Sequence, residues 1–380
     1  MLPEKEHSWF KRWKDLEAAD AKMFIAYVLL MGIIKKPDIY TYWSTDPLMD
    51  TPFFRKYMSR DRFLIIMSML HFNNDEHYHN VESRKPKNEQ DRLYKLRPLI
   101  DVLDRTFLLY TPEKELALDE GGCPYKGRLG MRVYCPSKPN KFSIKTYQLC
   151  EATTGYTISF EVHTGKIKVS WDQANDDDDD EDEDDEDPNQ NPKNQDLKAT
   201  TGLVLRLMSR ANCLGKGHHV YMDSYYNSPE LAETLSRKKT LLAGTLQPNR
   251  EGVPTIIGAA KKFWGKSKKY KGQCLWRRKG DTLILAWMDK RCVCAISTIH
   301  AARMKNVKYN FQNTLVQKPE TVIEYNKYMY GVDLSDQLVA GISPLRKSLK
   351  WWRKLAIHLI NVAAMNAFVI CKKFGDKQNL

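Results

Sequence analysis

Two short stretches of this chain are built alike: Leu116-Ala117-Leu118-Asp119-Glu120 and His219-Val220-Tyr221-Met222-Asp223. Each is an apolar run of strand length that closes on an acid. Carboxylates at the ends of buried strands sit on rigid backbone, where a functional group can be held in place. A third stretch, Tyr330-Gly331-Val332-Asp333-Leu334-Ser335-Asp336-Gln337, sets two aspartates three residues apart at the head of an apolar helical pattern. Residues i and i+3 share a helix face, so Asp333 and Asp336 are expected to project together. Gly331 lets the backbone approach a neighbour closely. An acid near a helix start is explained equally well by the helix dipole. The three acids are 104 and 110 residues apart, so only tertiary folding joins them.

Strand signals surround the first acid. Residues 131–135, 145–151 and 156–162 carry β-branched or aromatic residues at strand spacing, with a turn at Thr153-Thr154-Gly155. Helical patterns follow over 201–214 and from Ser228 to Arg237, with Pro229 in the first turn, and then a strand from Leu241 to Thr245. Three strands, a helix, a strand and a helix, with acids at these places, is the order of an RNase H-like core. The expected class is therefore α/β, a mixed sheet flanked by helices. Upstream, residues 5 to about 111 read as helices. Ser59 is a cap, and Leu93, Leu96, Ile100, Leu103 and Phe107 form one stripe in which Pro98 kinks the helix or shifts its start. Downstream, Trp352, Leu355, Leu359, Val362, Asn366 and Val369 define a last long helix, with Arg346, Lys347 and Lys350 ahead of it as a positive collar. The division that results is a helical region for DNA binding or dimerisation over 1–112 and a first part of the core over 113–246. A β-rich insertion occupies 247–325, and the carboxy-terminal helices of the core occupy 326–380.

The chain has 380 residues, 42% of them hydrophobic, and a net charge of +13. Twelve consecutive acids, Asp176 to Asp187, sit in a low-complexity stretch that reads as a solvated loop over 172–197. Without that block the rest of the chain carries +25, a surface suited to a polyanion such as nucleic acid. Between Gly252 and Gly280 there is no acid and nine bases: Lys261, Lys262, Lys266, Lys268, Lys269, Lys271, Arg277, Arg278 and Lys279. Phe263, Trp264, Tyr270 and Trp276 are interleaved with them, a composition suited to phosphate contact with base stacking. The eight cysteines form no C-x-x-C, so reduced thiols inside a cell are expected and no structural zinc site. The apolar run Phe24 to Ile34 is about half the length of a spanning helix, and no membrane is expected.

Several spaced motifs carry a family resemblance. They are Leu118-Asp119-Glu120 with Lys126-Gly127-Arg128, Lys138-Pro139-Asn140-Lys141-Phe142-Ser143-Ile144-Lys145, Thr154-Gly155-Tyr156 and Thr164-Gly165-Lys166. Tyr221-Met222-Asp223-Ser224-Tyr225-Tyr226-Asn227-Ser228, Gly331 to Gln337 and Arg346 to Trp352 follow in the same order, with Asn366 downstream. In these the chain resembles the piggyBac transposases and the host-retained proteins derived from them, over nearly its whole length. The resemblance implies that Asp119, Asp223 and Asp333 are the catalytic acids, with Asp336 a nearby fourth carboxylate. It implies two Mg²⁺ or Mn²⁺ ions, since several carboxylates in one pocket repel one another unless cations lie between them. It further implies nicking of double-stranded transposon ends, hairpin formation, joining at TTAA targets, a homodimer and a nuclear location. Fuller members carry a cysteine-rich tail after the last helix, whereas this sequence stops at Leu380. A transposon-derived DNA-binding protein without full transposition activity therefore stays open as the alternative.

Overall fold

In a computed structural model of the chain, residues 13–86, 89–136, 138, 140–165, 199–308 and 315–375 are described. The acid block Asp176 to Asp187 lies outside them. The chain opens with helices α1 (Ala18–Ile33), α2 (Pro52–Tyr57), α3 (Arg60–Met69), α4 (Asp75–Asn80) and α5 (Arg97–Phe107). Ser59 caps α3 as expected, its side chain accepting from Arg62 N. Pro98 shifts the start of α5: it stands in the first turn, where its missing N–H costs no helix hydrogen bond. The stripe of Leu93, Leu96, Ile100, Leu103 and Phe107 is buried throughout. Helices α1 to α3 enclose an aromatic cluster of Phe24, Tyr27, Tyr42, Phe54 and Phe63, against which Ile357 packs from the far end of the sequence.

The core is a mixed nine-stranded sheet. Its strands are β1 (Glu115–Pro124), β2 (Arg132–Tyr134), β3 (Phe142–Glu151), β4 (Thr157–Val162), β5 (His219–Met222), β6 (Leu241–Thr245), β7 (Cys274–Lys279), β8 (Thr282–Met288) and β9 (Cys292–Ser297). They lie in the order β2-β3-β1-β5-β6-β9-β8-β7, and β4 shares the outer edge of β3 with β2. β1 and β3 are antiparallel, whereas β1, β5 and β6 run parallel to one another. The antiparallel β4-β3-β1 set followed by parallel β5 and β6 is the RNase H-like arrangement expected from the element order. Beyond it, β6 pairs with β9, so the three strands that follow 247 continue the same sheet. Residues 304–308 and 315–319, β10 (Met304–Lys308) and β11 (Leu315–Pro319), form a separate two-stranded ladder.

Alternation sorts the two faces. Leu116, Leu118, Val220, Met222 and Leu242 point into one core with α6 (Ala199–Arg210), α7 (Pro229–Arg237) and α8 (Thr255–Trp264). Residues of the other parity meet α9 (Glu320–Tyr328) and α10 (Gly331–Gly341): Tyr325 packs with Tyr221 and Ala243, and Gly331 rests on Ala117. The last helix, α11 (Trp351–Phe374), is long and apolar enough to cross a membrane. Here it is a core helix. It buries Leu355, Leu359 and Val362 together with the polar side chains of His358, Asn361 and Asn366. Trp351 packs, half-buried, in that same core.

Candidate carboxylate site

The position of Asp119 follows from where strand pairing ends. The expectation was a strand that stops at its two acids, but β1 runs on through Gly121 and Gly122 because β3 pairs with it as far as Pro124. What does stop is the parallel partner: the β1–β5 ladder closes at Leu118 opposite Met222. Asp119 and Asp223 are each the next residue, at the carboxyl end of β5, where ligands of open α/β sheets gather. By parity both belong to the α9–α10 face.

Helix α10 brings the third acid, and glycine sets its distance. A Cβ on Gly331 would stand 2.9 Å from the Ala117 Cβ and 3.0 Å from the Ala152 Cα, so a side chain there would lift the helix off the sheet. Gly155, at φ +73° in the β3–β4 turn, fits equally tightly under Ser335. Hydrogen bonds complete the fixing. Asn366 of α11 accepts from Thr157 N at 2.9 Å and donates to Thr157 O at 2.8 Å. The Thr157 and Ser335 hydroxyls meet at 3.1 Å, and Asn361 donates to Val339 O at 3.0 Å. Helices α10 and α11 are thereby tied to the edge strand with every bond buried.

The site these elements frame is short of positive charge. Asp119 is half-buried, and its carboxyl accepts from Glu120 N at 2.8 Å. Burial first, and then the charges of Asp223 and Asp333, push it up to about 6. Asp336 is pushed up to about 7 by burial, with Asp333 and Asp119 adding to the shift and Lys138 opposing it. Asp223 is also raised, mainly by burial, against hydrogen bonds from Tyr225 N and Tyr226 N. Asp333 itself is exposed. The four aspartates expected to share a pocket thus act on one another electrostatically. Their donor chemistry, carboxylate oxygens only, suits a hard divalent cation. Among the described residues, however, no three Asp, Glu, His or Cys side chains converge closely enough to hold a metal ion.

Two cations at the rim were not singled out in the sequence. Lys138 reaches Glu120 O at 2.9 Å, and its charge acts on Asp336. Arg250 reaches the carbonyls of Ser224 and Tyr225, and its charge acts on Asp223. Lys138 stands in a quoted motif, whereas Arg250 had no local signal because only the fold brings it beside residue 223.

The basic residues divide into two kinds. All nine of the 261–279 set are exposed, and none forms a salt bridge among the described residues. The interleaved aromatics are less available than the pattern suggested. Trp264 is buried in the main core and Trp276 is half-buried, leaving exposed Phe263 beside half-buried Tyr270 at 5.2 Å. In the collar, Lys347 and Lys350 are exposed. Arg346 is turned inward: it donates to Lys36 O at 3.0 Å and Tyr42 Oη at 3.1 Å, tying the α10–α11 connection to the helical region.

The fold is an RNase H-like mixed sheet with interacting carboxylates at the carboxyl end of β5. The comparisons agree. Residues 2–368 match the family model described as Transposase IS4. The chain belongs to the piggyBac transposase family. It is 25% identical over 375 residues to human piggyBac transposable element-derived protein 3, covering 95% of this chain and 56% of that protein. It is 24% identical to human piggyBac transposable element-derived protein 2 over 95% of this chain and 57% of that one. The chain thus spans little more than half the length of these curated relatives. A cryo-EM structure of a piggyBac transposase synaptic complex with hairpin DNA shares the fold at a TM-score of 0.73 and 22% identity, over 98% of this chain and 69% of that one.

Proposed function

We propose that this chain cuts and rejoins double-stranded DNA in a divalent-metal-dependent reaction, with Asp119, Asp223 and Asp333 as the metal-holding acids and Asp336 beside them. The observation that carries the reading is the charge balance of the site. The Asp119 and Asp336 carboxyls are raised to about 6 and about 7 by burial and by the charges of neighbouring acids, and among the described residues no buried base is paired with either. Natural proteins satisfy buried acids unless the site has another use. Mg²⁺ or Mn²⁺, two ions when bound, would supply Lewis-acid stabilisation of a phosphodiester and a deprotonated attacking oxygen. The chain's own groups do the rest. Asp119 is held on β1 by Glu120 N, and Asp223 is held at the end of β5 by the turn that follows. Lys138 and Arg250, whose charges act on Asp336 and Asp223, would meet phosphates, and the exposed bases from Lys261 to Lys279, with Lys347 and Lys350, would bind the DNA backbone. The family resemblance adds TTAA as the target, a homodimer as the working form and the nucleus as its location.

One observation favours a second reading. The carboxylates do not converge on a metal among the described residues, and the human relatives are named as transposable element-derived proteins. On that reading the chain binds DNA without cutting it. The test is an excision assay on a donor bounded by matched ends, with Mg²⁺ or Mn²⁺, comparing the native chain with Asp119→Ala, Asp223→Ala and Asp333→Ala. Nicked or hairpin products from the native chain alone support the enzyme. Excision that persists in all three variants refutes the acid trio, and binding without products selects the second reading.

A further inference from the structure

The sheet ends on a strand whose outer edge is open. β7 is the last strand in the order and pairs with β8 alone. Gly272 N donates to Met288 O at 2.7 Å and Met288 N donates to Gln273 O at 2.9 Å, which fixes the phase of the antiparallel ladder. Leu275, Arg277 and Lys279 therefore spend their backbone groups on β8, and Cys274, Trp276 and Arg278 turn theirs outward. Among the described residues these outward groups meet one partner, the Arg277 guanidinium, which donates to Trp276 O at 2.7 Å. Beside the edge runs α8, and between the two lies a groove of about 630 Å³. Its walls include Ile256, Ala259, Ala260 and Phe263 on the helix, and Cys274 and Leu275 on the strand. The two alanines keep the helix side low, and Phe263 is left 71% exposed. A helix beside an open strand edge takes up an extended peptide as one more strand, with backbone bonds to the edge and alternate side chains in the groove.

Charge decides what kind of strand fits. Lys261, Lys262 and Lys266 lie on the helix side and Arg277, Arg278 and Lys279 on the strand side, all exposed, and no acid occurs between Gly252 and Gly280. Bases on an edge strand discourage pairing with a second copy of that strand and attract one that carries acids. DNA phosphates would use the same bases, but the apolar floor between them offers a phosphate backbone nothing.

We infer that the groove between α8 and β7 binds an extended acidic segment of a partner protein, apolar at alternate residues, which adds one strand to the sheet. Its apolar side chains lie over Ala259 and Ala260 against Phe263, and its acids meet the bases at both rims. The inference goes beyond the reading of the carboxylate site and does not depend on it.

The probe is a short fluorescein-labelled peptide that alternates glutamate with valine, and its binding to the full chain is measured by fluorescence anisotropy. The native chain should bind it about tenfold more tightly than a peptide with serine in place of each valine, and more weakly as salt rises. Phe263→Ser, which removes the ring, and Ala259→Gln, which fills the groove, should each lower the affinity by about tenfold. Both positions are exposed, and an unchanged melting temperature reports that the variants fold. Backbone pairing has its own signature. N-methylation of the peptide at the valines alone and at the glutamates alone should differ, one abolishing binding and the other sparing it, because only one edge of the added strand faces β7. A native chain that does not distinguish the valine from the serine peptide, or two N-methylated peptides that behave alike, overturns the added strand. If Phe263→Ser and Ala259→Gln lower affinity for duplex DNA and leave peptide binding unchanged, the groove belongs to nucleic acid and the inference fails. Each of these outcomes leaves the acid trio standing.

Discussion

The strand pair β1–β3 carries two buried acidic positions that the fold treats in opposite ways. Glu151, at the end of β3, has no exposed surface, yet both of its oxygens are engaged. Tyr110 donates to each at 2.9 and 2.8 Å, Glu113 N donates at 2.8 Å, the Thr154 hydroxyl joins them, and the Lys373 ammonium lies 3.6 Å away. Asp119, a few residues along the neighbouring strand, is less deeply buried but has one backbone donor and three other acids for company. A satisfied acid clamps β3 to the end of α11, and the unsatisfied ones form a site. Burial alone does not separate the two roles. The partner list does.

The contrast can be broken at either end. The largest effect is expected at Glu151. Glu151→Ala leaves the Tyr110 hydroxyl, Glu113 N and Lys373 facing a gap, and should lower stability by about 3 kcal/mol in chemical denaturation. A loss below about 1 kcal/mol would mean the clamp is not structural. Asp336→Asn should do the reverse. The folded-state carboxyl titrates near 7, above its ordinary value, so the unfolded chain gives up its proton first and stability falls as pH rises from about 4 to about 7. Asparagine removes that slope. The variant should therefore be more stable than the native chain at pH 8 by on the order of 2 kcal/mol, with the gain fading toward pH 4. A gain that is the same at both pH values would show that repulsion is not its source. The smallest effect concerns the basic residues. Lys268→Ala and Arg278→Ala should each reduce the salt dependence of DNA binding by about one unit of slope, since each removes about one phosphate contact. Arg346→Ala, whose donors hold the helical region, should instead lower the melting temperature and leave the slope alone.

Much of this was written in local sequence. Apolar runs ending in Asp119 and Asp223 gave the central strands, because a strand buried on both faces has a signature that needs no partner. Gly331 was legible as a close-approach residue, and the structure shows what it approaches. What escaped was everything that depends on a distant partner. The pairing of β6 with β9, which carries the sheet past residue 247, has no mark in either strand alone. Arg346 looked like its neighbour Lys347 and differs only because Lys36 and Tyr42 are folded against it. Glu151 and Asp119 are both acids in apolar strands, and nothing in the sequence says that Tyr110 and Lys373 will find the first and not the second.

The function of the site turns on whether its uncompensated acids hold a cation. Thermal unfolding with increasing Mg²⁺ or Mn²⁺ tests this directly, because a ion bound only by the folded state raises the melting temperature with concentration. The native chain should show a saturable rise at pH 7.5, and Asp119→Asn, Asp223→Asn and Asp333→Asn should each start from a melting temperature at or above the native value and show little further rise. A native chain indifferent to both ions, or variants that respond as it does, would contradict the assignment of these carboxylates as a metal site.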